Sequence, residues 1–302
     1  MNPSVPPVAG NAGWPLRVIC CPNCHAGLKR GVVVECACCE FHSDDVKDLR
    51  IQQPVKRTLH FVVGAALSIS EHLQQIDTTA PQRTYHGPRA VRDSAELMSE
   101  VSSRLPGGGA VLDLGCGPCD QAACLESLGF HYVGVDFESK AADFLADAHA
   151  LPFADKSFDC VFSYAVFEHL HNPFIALQEV ARVLKPGGWF IGTVSQGEPF
   201  HNSYFHHTAW GVLSIVSSVP ELQVHRLWAA LDTLLSLATM GRYSKLIRLG
   251  LRCLDLLNRR LPWLTPRKMR WPLKDRQLDR IFSAGSVCFA IEKNSTSDRG
   301  AI

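Results

Sequence analysis

Val111-Leu-Asp-Leu-Gly-Cys-Gly-Pro118 is the stretch that decides how this chain folds. With Ala110, its first half is a run of strand length that is apolar except for Asp113, and Gly115-Cys-Gly117-Pro-Cys-Asp120 is a tight turn opening onto a helix from Gln121 to Leu128. Glycines at 115 and 117 let the backbone turn sharply and approach a ligand with no Cβ in the way. His131-Tyr-Val-Gly-Val-Asp136 then predicts a second strand. It ends in a carboxylate 21 residues after Gly115, the distance at which an acid at the tip of strand two can take both hydroxyls of a ribose.

The alternation continues downstream. Asp143 to Ala148 predicts a third strand ending near Asp147-Ala-His149, and Phe158 to Tyr164 a fourth. A helix over Pro173 to Leu184 carries Phe174, Leu177, Val180, Ala181 and Leu184 on one face, Lys185-Pro-Gly-Gly188 breaks it, and Trp189 to Val194 is a fifth strand. A helix from Thr208 to about Ser217, a sixth strand at Leu222 to Leu227 and a last strand at Ser286 to Ile291 complete the series. Strands alternating with helices imply an α/β architecture with a parallel sheet covered on both faces and ligands at the carboxyl ends of the strands.

Six short motifs now stand in order: Val111 to Pro118, Val133-Gly-Val-Asp136, Asp147-Ala-His-Ala-Leu-Pro-Phe153, Ser157-Phe-Asp159, Phe167-Glu-His169 and Val183-Leu-Lys-Pro-Gly-Gly188. Residues 106 to 195 resemble a class I S-adenosylmethionine-dependent methyltransferase, of the branch that includes the ubiquinone/menaquinone-type enzymes. The resemblance implies a Rossmann-like seven-stranded fold, with the last strand antiparallel between strands five and six. It also implies cofactor roles. Asp113, Gly115 and Gly117 would face the methionine portion, Asp136 the ribose, Asp147 and Ala148 the adenine, and Tyr164 would lie near the methyl sulfonium. Cys119 stands where the family has a third glycine, and its side chain is expected to narrow the methionine end. A nicotinamide-binding domain shares the glycines and the strand-two acid, but its third fingerprint glycine is missing and Asp113 sits inside the first strand.

Upstream, Cys20-Cys21-Pro-Asn-Cys24 and Cys36-Ala-Cys38-Cys39 contain one pairing in which both halves are Cys-x-x-Cys: Cys21/Cys24 and Cys36/Cys39. Two such knuckles can each point two thiolates at one tetrahedral zinc, while Gly31 to Glu35 supplies a short strand. Cys20 and Cys38 are adjacent spares, and His25 or His42 could replace a thiolate. Residues 16 to 51 resemble the short zinc ribbon found ahead of some bacterial methyltransferases. A module this small needs its metal to hold a core.

Methyl transfer from a sulfonium needs positioning and exclusion of water more than acid–base help. If the acceptor is a hydroxyl or an acidic carbon, the candidate bases are His169 and the cluster His201, His206 and His207, which follows strand five.

The chain has 302 residues, 46% apolar and 20% charged, with a formal charge of +1. That total is a cancellation, because from Arg242 to Arg280 there are 12 Lys/Arg against three Asp, leaving about −8 elsewhere. The basic segment lies in an insertion before the last strand, where the leucine spacing predicts two amphipathic helices with Lys245, Arg248, Arg252, Arg259 and Arg260 on the wetter side. Three roles compete for it: a cap over the acceptor pocket, peripheral contact with an anionic membrane, or tracking of RNA phosphates. The near-zero total argues against wholesale nucleic-acid binding.

No uncharged run approaches the length of a membrane span, and the first 14 residues lack the basic start and apolar core of a secretory signal, so a cytoplasmic location, membrane-peripheral at most, is expected. Residues 1–15 and 294–302 read as disordered ends, 16–51 as the zinc ribbon and 52–105 as a helical connector. Residues 106–228 with 284–293 read as the methyltransferase domain, and 229–283 as the basic helical cap. The expected function is S-adenosylmethionine-dependent methylation of a small molecule, lipid-linked intermediate or glycan precursor. RNA methylation and a non-catalytic binding role are the alternatives.

Overall fold

The computed structural model describes residues 17–30, 33–51, 56, 75–85, 92–199, 202–231, 233–261, 281 and 284–295. Both expected disordered ends lie almost wholly outside these, as do His201 and most of the connector. The described part of the connector includes a helix, α1 (Arg92–Arg104), preceded by a non-helical stretch at 76–85.

The strands are β1 (Leu28–Arg30), β2 (Val34–Cys36), β3 (His42–Ser43), β4 (Gly109–Leu114), β5 (Phe130–Asp136), β6 (Phe144–Leu145), β7 (Phe158–Tyr164), β8 (Leu184–Ser195), β9 (Leu222–Ala229) and β10 (Ser286–Lys293). The remaining helices are α2 (Ala122–Ser127), α3 (Pro173–Val183), α4 (Ala209–Ser217), α5 (Thr233–Met240) and α6 (Lys245–Arg260). The first three strands form a small antiparallel sheet. The other seven form one sheet in the order β6-β5-β4-β7-β8-β10-β9, parallel except for β10, which runs antiparallel between β8 and β9. This is the α/β, Rossmann-like seven-stranded arrangement.

The central strands read as almost unbroken apolar runs because both faces are covered. Alternate residues feed two layers. Phe158 and Val161 of β7, Phe190 and Val194 of β8, and Val287, Phe289 and Ile291 of β10 join one cluster. Cys160, Phe162, Trp189, Ile191, Cys288 and Ala290 join the other, under Leu97, Met98 and Val101 of α1. The predicted third strand is only two residues long in the structure.

The cysteine-rich segment is joined to this core. Ile19, Cys21, Val34, Phe41 and Leu49 share one apolar cluster with Phe144, Leu151 and Phe153. Its backbone pairs with the larger domain twice. Cys20 N donates to Pro152 O and Ala154 N to Val18 O, while Leu49 N donates to Leu145 O and Leu145 N to Lys47 O, extending the sheet beyond β6. At the opposite edge Asp77 bridges to β9, its amide donating to His225 O and its carbonyl accepting from Leu227 N.

The loop that the cysteine-rich segment grips, residues 150–155, is held from α3. Glu179 accepts from Leu151 N at 2.8 Å and pairs with Arg182 at 2.8 Å. Arg182 donates in turn to Leu151 O, Phe153 O and Asp155. Both side chains of the Arg182–Glu179 pair are largely buried. Breaking such a pair leaves one charge uncompensated, so Arg182→Ala is expected to cost about 3 kcal/mol. A urea unfolding midpoint equal to that of the wild type would show that the loop is held by something else.

Candidate functional site

A cleft of about 900 Å³ opens at the carboxyl ends of β4, β5 and β7, where the chain departs from β4 to either side of the sheet. It is of the size that holds a cofactor or small ligand, at a topological switch point. Its wall takes in Gly115, Val135, Asp136, Phe137, Asp147, Ala148, His149, Val166, His169, His171, Asn172, Asn202 and Tyr204, with Ile51 of the cysteine-rich segment at its rim.

The turn after β4 has the conformation its sequence demands. Gly115 and Gly117 have φ of +74° and +53°, in the region that favours glycine. A Cβ on Gly115 would also fall 2.3 Å from Val166 Cγ2, so this glycine is required by contact as well as by backbone. Cys119 adopts φ +61°, which explains why a glycine suits the position. The thiol of Cys119 is turned toward Ala141 O and Cys116 Sγ and is not part of the cleft wall.

Asp136 ends β5 with both carboxylate oxygens braced. Oδ2 accepts from Gly117 N at 3.0 Å, and Oδ1 accepts from Glu138 N and Ser139 N at 2.9 Å. The carboxylate therefore ties the glycine turn to the end of strand two. Asp147 accepts from the amide of His149 at 2.9 Å and from its ring Nδ1 at 2.6 Å. Burial alone would raise the Asp147 carboxyl. The hydrogen bonds from His149, with the nearby charge of His171, more than offset that and hold it below the usual carboxylate range. His149 Nε2 accepts from Asn172 N at 3.1 Å, so one neutral imidazole links the Asp147 loop to the start of α3. There Asn172 caps the helix by accepting from Ile175 N, followed by Pro173.

Of the residues singled out from sequence, Gly115, Asp136, Asp147, Ala148 and His169 meet at this cleft. Asp113, Gly117, Tyr164, His206 and His207 are not part of its wall. Gly117 stands just behind it through its bond to Asp136. His207 is buried, its Nε2 donating to Phe167 O at 3.1 Å, and burial holds the ring below the usual histidine range. His169 Nδ1 lies 3.3 Å from Asn202 O, and because a carbonyl only accepts, that nitrogen carries the proton. Sequence reasoning passed over His149, His171 and Tyr204. His149 lies within the motif that named Asp147, but the rings of His171 and Tyr204, stacked at 4.1 Å, come from segments 33 residues apart with no local signal joining them.

The other constellation is the thiol cluster. Cys21, Cys24, Cys36 and Cys39 bring their Sγ atoms within 4.8 Å of one another, with Cys21–Cys39 and Cys24–Cys36 both at 3.5 Å. Four sulfurs about 2.3 Å from one tetrahedral ion would be about 3.8 Å apart, so the set fits zinc with little adjustment. The Cys36 sulfur also accepts from Cys38 N at 3.3 Å. Cys20 is buried outside the cluster, and Cys38 is exposed.

Asp113 faces the layer opposite the cleft, 1% exposed, accepting from the Tyr132 hydroxyl at 2.8 Å. Burial pushes its carboxyl up to about 7, with the Tyr132 bond opposing and the Asp136 charge adding. In the unfolded chain it titrates near 4. The native state therefore keeps a proton that the unfolded state releases, and this contribution to stability is full below about pH 4 and lost as pH rises through about 7. Asp113→Asn, which keeps an acceptor for Tyr132, is expected to flatten the fall in melting temperature between about pH 4 and pH 7. Parallel pH profiles for the two proteins would refute this placement.

Residues 112–192 match a family model described as a methyltransferase domain. An uncharacterized 37.1 kDa protein in transposon TN4556 of Streptomyces fradiae is 30% identical over 199 residues, covering 60% of this chain and 50% of its own length. An uncharacterized methyltransferase of Mycobacterium sp. (strain JLS) is 37% identical over 105 residues, 31% of this chain and 42% of its own. Among solved structures, the 1,6-didemethyltoxoflavin-N1-methyltransferase of Burkholderia thailandensis, with 1,6-didemethyltoxoflavin and S-adenosylhomocysteine bound, is similar at a TM-score of 0.42 and 13% identity, over 66% of this chain and 77% of that one. The chain spans about half the length of the curated relatives it matches. The six ordered motifs and the family match fall in the same segment, so residues 112–192 are the part of the chain that matches a methyltransferase domain.

Proposed function

We propose that the chain binds S-adenosylmethionine in the carboxyl-edge cleft and transfers its methyl group to a small molecule, lipid-linked intermediate or glycan precursor. The observation that carries this reading is the convergence of Gly115, Asp136, Asp147 and Ala148 on one cleft at the switch point of the sheet. The cofactor supplies a methyl group already activated on a sulfonium, so the reaction is an in-line displacement.

The chain's own residues orient and enclose. The braced Asp136 carboxylate keeps a fixed acceptor site on Oδ2 for a ribose hydroxyl, and Asp147, steadied by His149, offers one to an adenine amino group beside the Ala148 amide. The glycine turn leaves room for the amino-acid end. His169, oriented through Nδ1 by Asn202 O, is the base candidate at the cleft, with His171 and Tyr204 beside it as an aromatic wall for the acceptor. The buried His207 supports the loop instead. The motif series further supports the ubiquinone/menaquinone-type branch.

The four thiolates hold zinc in a ribbon whose work is structural. Their fit to a tetrahedral ion supports this, and so does the tail of the segment. Arg50 Nη1 donates to Phe137 O and its guanidinium lies 5.4 Å from the Phe137 ring centre, while Ile51 meets the cleft. Metal loss is therefore felt where the cofactor binds.

Calorimetry with S-adenosylhomocysteine tests the cofactor reading. Binding by the wild type, weakened about 10- to 100-fold in Asp136→Asn, is expected, from loss of a charge-assisted bond. Binding of NADH in its place would refute it. Metal analysis is expected to find one zinc per chain. Stripping it with a chelator should lower both the melting temperature and the affinity for S-adenosylhomocysteine, whereas a metal-free chain of unchanged affinity would disprove the coupling.

A further inference from the structure

The described part of the insertion before β10 contains the two helices its leucines predict, with Lys245, Arg252 and Arg260 exposed as expected, but most leucines of the second lie outward as well. The sequence reading put the leucines against the protein and the basic residues toward water. In the structure the polar edge of α6 packs inward. Arg248 donates to Ala238 O at 2.7 Å and Thr239 O at 3.2 Å, satisfying carbonyls at the end of α5, and Asp255 is 7% exposed. Apart from Leu251, the apolar residues face out: Leu246 is 81% exposed, and Ile247, Leu249, Leu254, Leu256 and Leu257 are each at least half exposed. At 100° per residue these six spread over half of the helix circumference. A face of this kind on the outer side of a surface helix needs a covering partner.

The charges say which partner. Asp255 is the one acid of α6 and it is turned inward, so the exposed ionic groups described along this stretch, Arg242, Lys245, Arg252 and Arg260, are all positive. Among the described residues no helix is long and apolar enough to cross a membrane, and α6, at 16 residues with its flanking cations, suits the boundary of a bilayer. Its mount is firm. The chain enters α5 beside the end of β8, where a Cβ on Gly197 would come 3.0 Å from Thr233 Oγ1, so the hairpin rises from the same rim of the sheet as the cleft.

We propose that α6 docks on an anionic bilayer, with its leucines among the acyl chains and its cations at the headgroups. The claim is independent of what the cleft methylates. Its test uses the full chain and sedimentation with vesicles of phosphatidylcholine alone or with about one-third phosphatidylglycerol. Binding to the anionic vesicles, weakened by high salt, is expected, with little binding to the neutral ones. Leu246→Glu with Leu249→Glu is expected to abolish it. Arg252→Ser and Arg260→Ser should each weaken it roughly fivefold. Both sets lie at exposed positions, and unchanged melting curves would verify that they fold. Absence of vesicle binding, or equal binding to both lipid mixtures, would overturn the proposal. So would a leucine variant that converts a dimer to a monomer in sedimentation velocity without any wild-type binding to lipid, or cations that shift a mixed RNA in a gel while the vesicles stay free.

Discussion

The buried ion pair between Arg182 and Glu179 organises more of this protein than its size suggests. Residues 150–155 form no long element of their own, and their backbone groups need partners. One carboxylate and one guanidinium on consecutive turns of α3 supply them. That loop is the junction of the molecule. On one side it follows Asp147 and Ala148 at the cleft, and on the other it pairs with Ile19 and Cys20 of the cysteine-rich segment. A buried pair of this kind adds little net stability over an apolar substitute, but it specifies one arrangement of the chain around it.

The architecture was legible because its causes are local. Buried parallel strands need apolar runs, turns at the cleft need glycine, and the carboxylate at the end of β5 follows from both. Depth was less legible. Asp113 and Leu114 are neighbours, yet the pleat sends Leu114 toward the cleft and Asp113 to the opposite layer beside Tyr132. His206 and His207 are adjacent too. One is exposed, and the other is spent on a backbone carbonyl, a difference set by how the loop closes over Phe167. Amphipathicity told the same partial story at α6. A periodic pattern establishes that a helix has two faces, but the inward one is chosen by the site on which it lands, here the carbonyl end of α5.

The cysteine-rich segment shows the limit of reading a chain as modules. Its spacing announces a self-contained unit. Its hydrophobic residues, however, belong to the same cluster as Phe144 and Phe153, and its last residues reach the cleft. A boundary at residue 51 therefore divides sequence patterns and not the packed core.

Chain from outside the alternating series bridges to each margin of the large sheet. Lys47 to Leu49 runs along β6, and Asp77 runs along β9. An unpaired strand edge is a template on which other chains can add. Lys47 to Leu49 therefore guard the β6 edge while leading into Ile51 at the cleft. A chain that lost their fold would expose backbone donors and acceptors beside an apolar layer, and self-association would compete with refolding. Selection on the N-terminal segment can thus be felt as aggregation before it is felt as any change in chemistry.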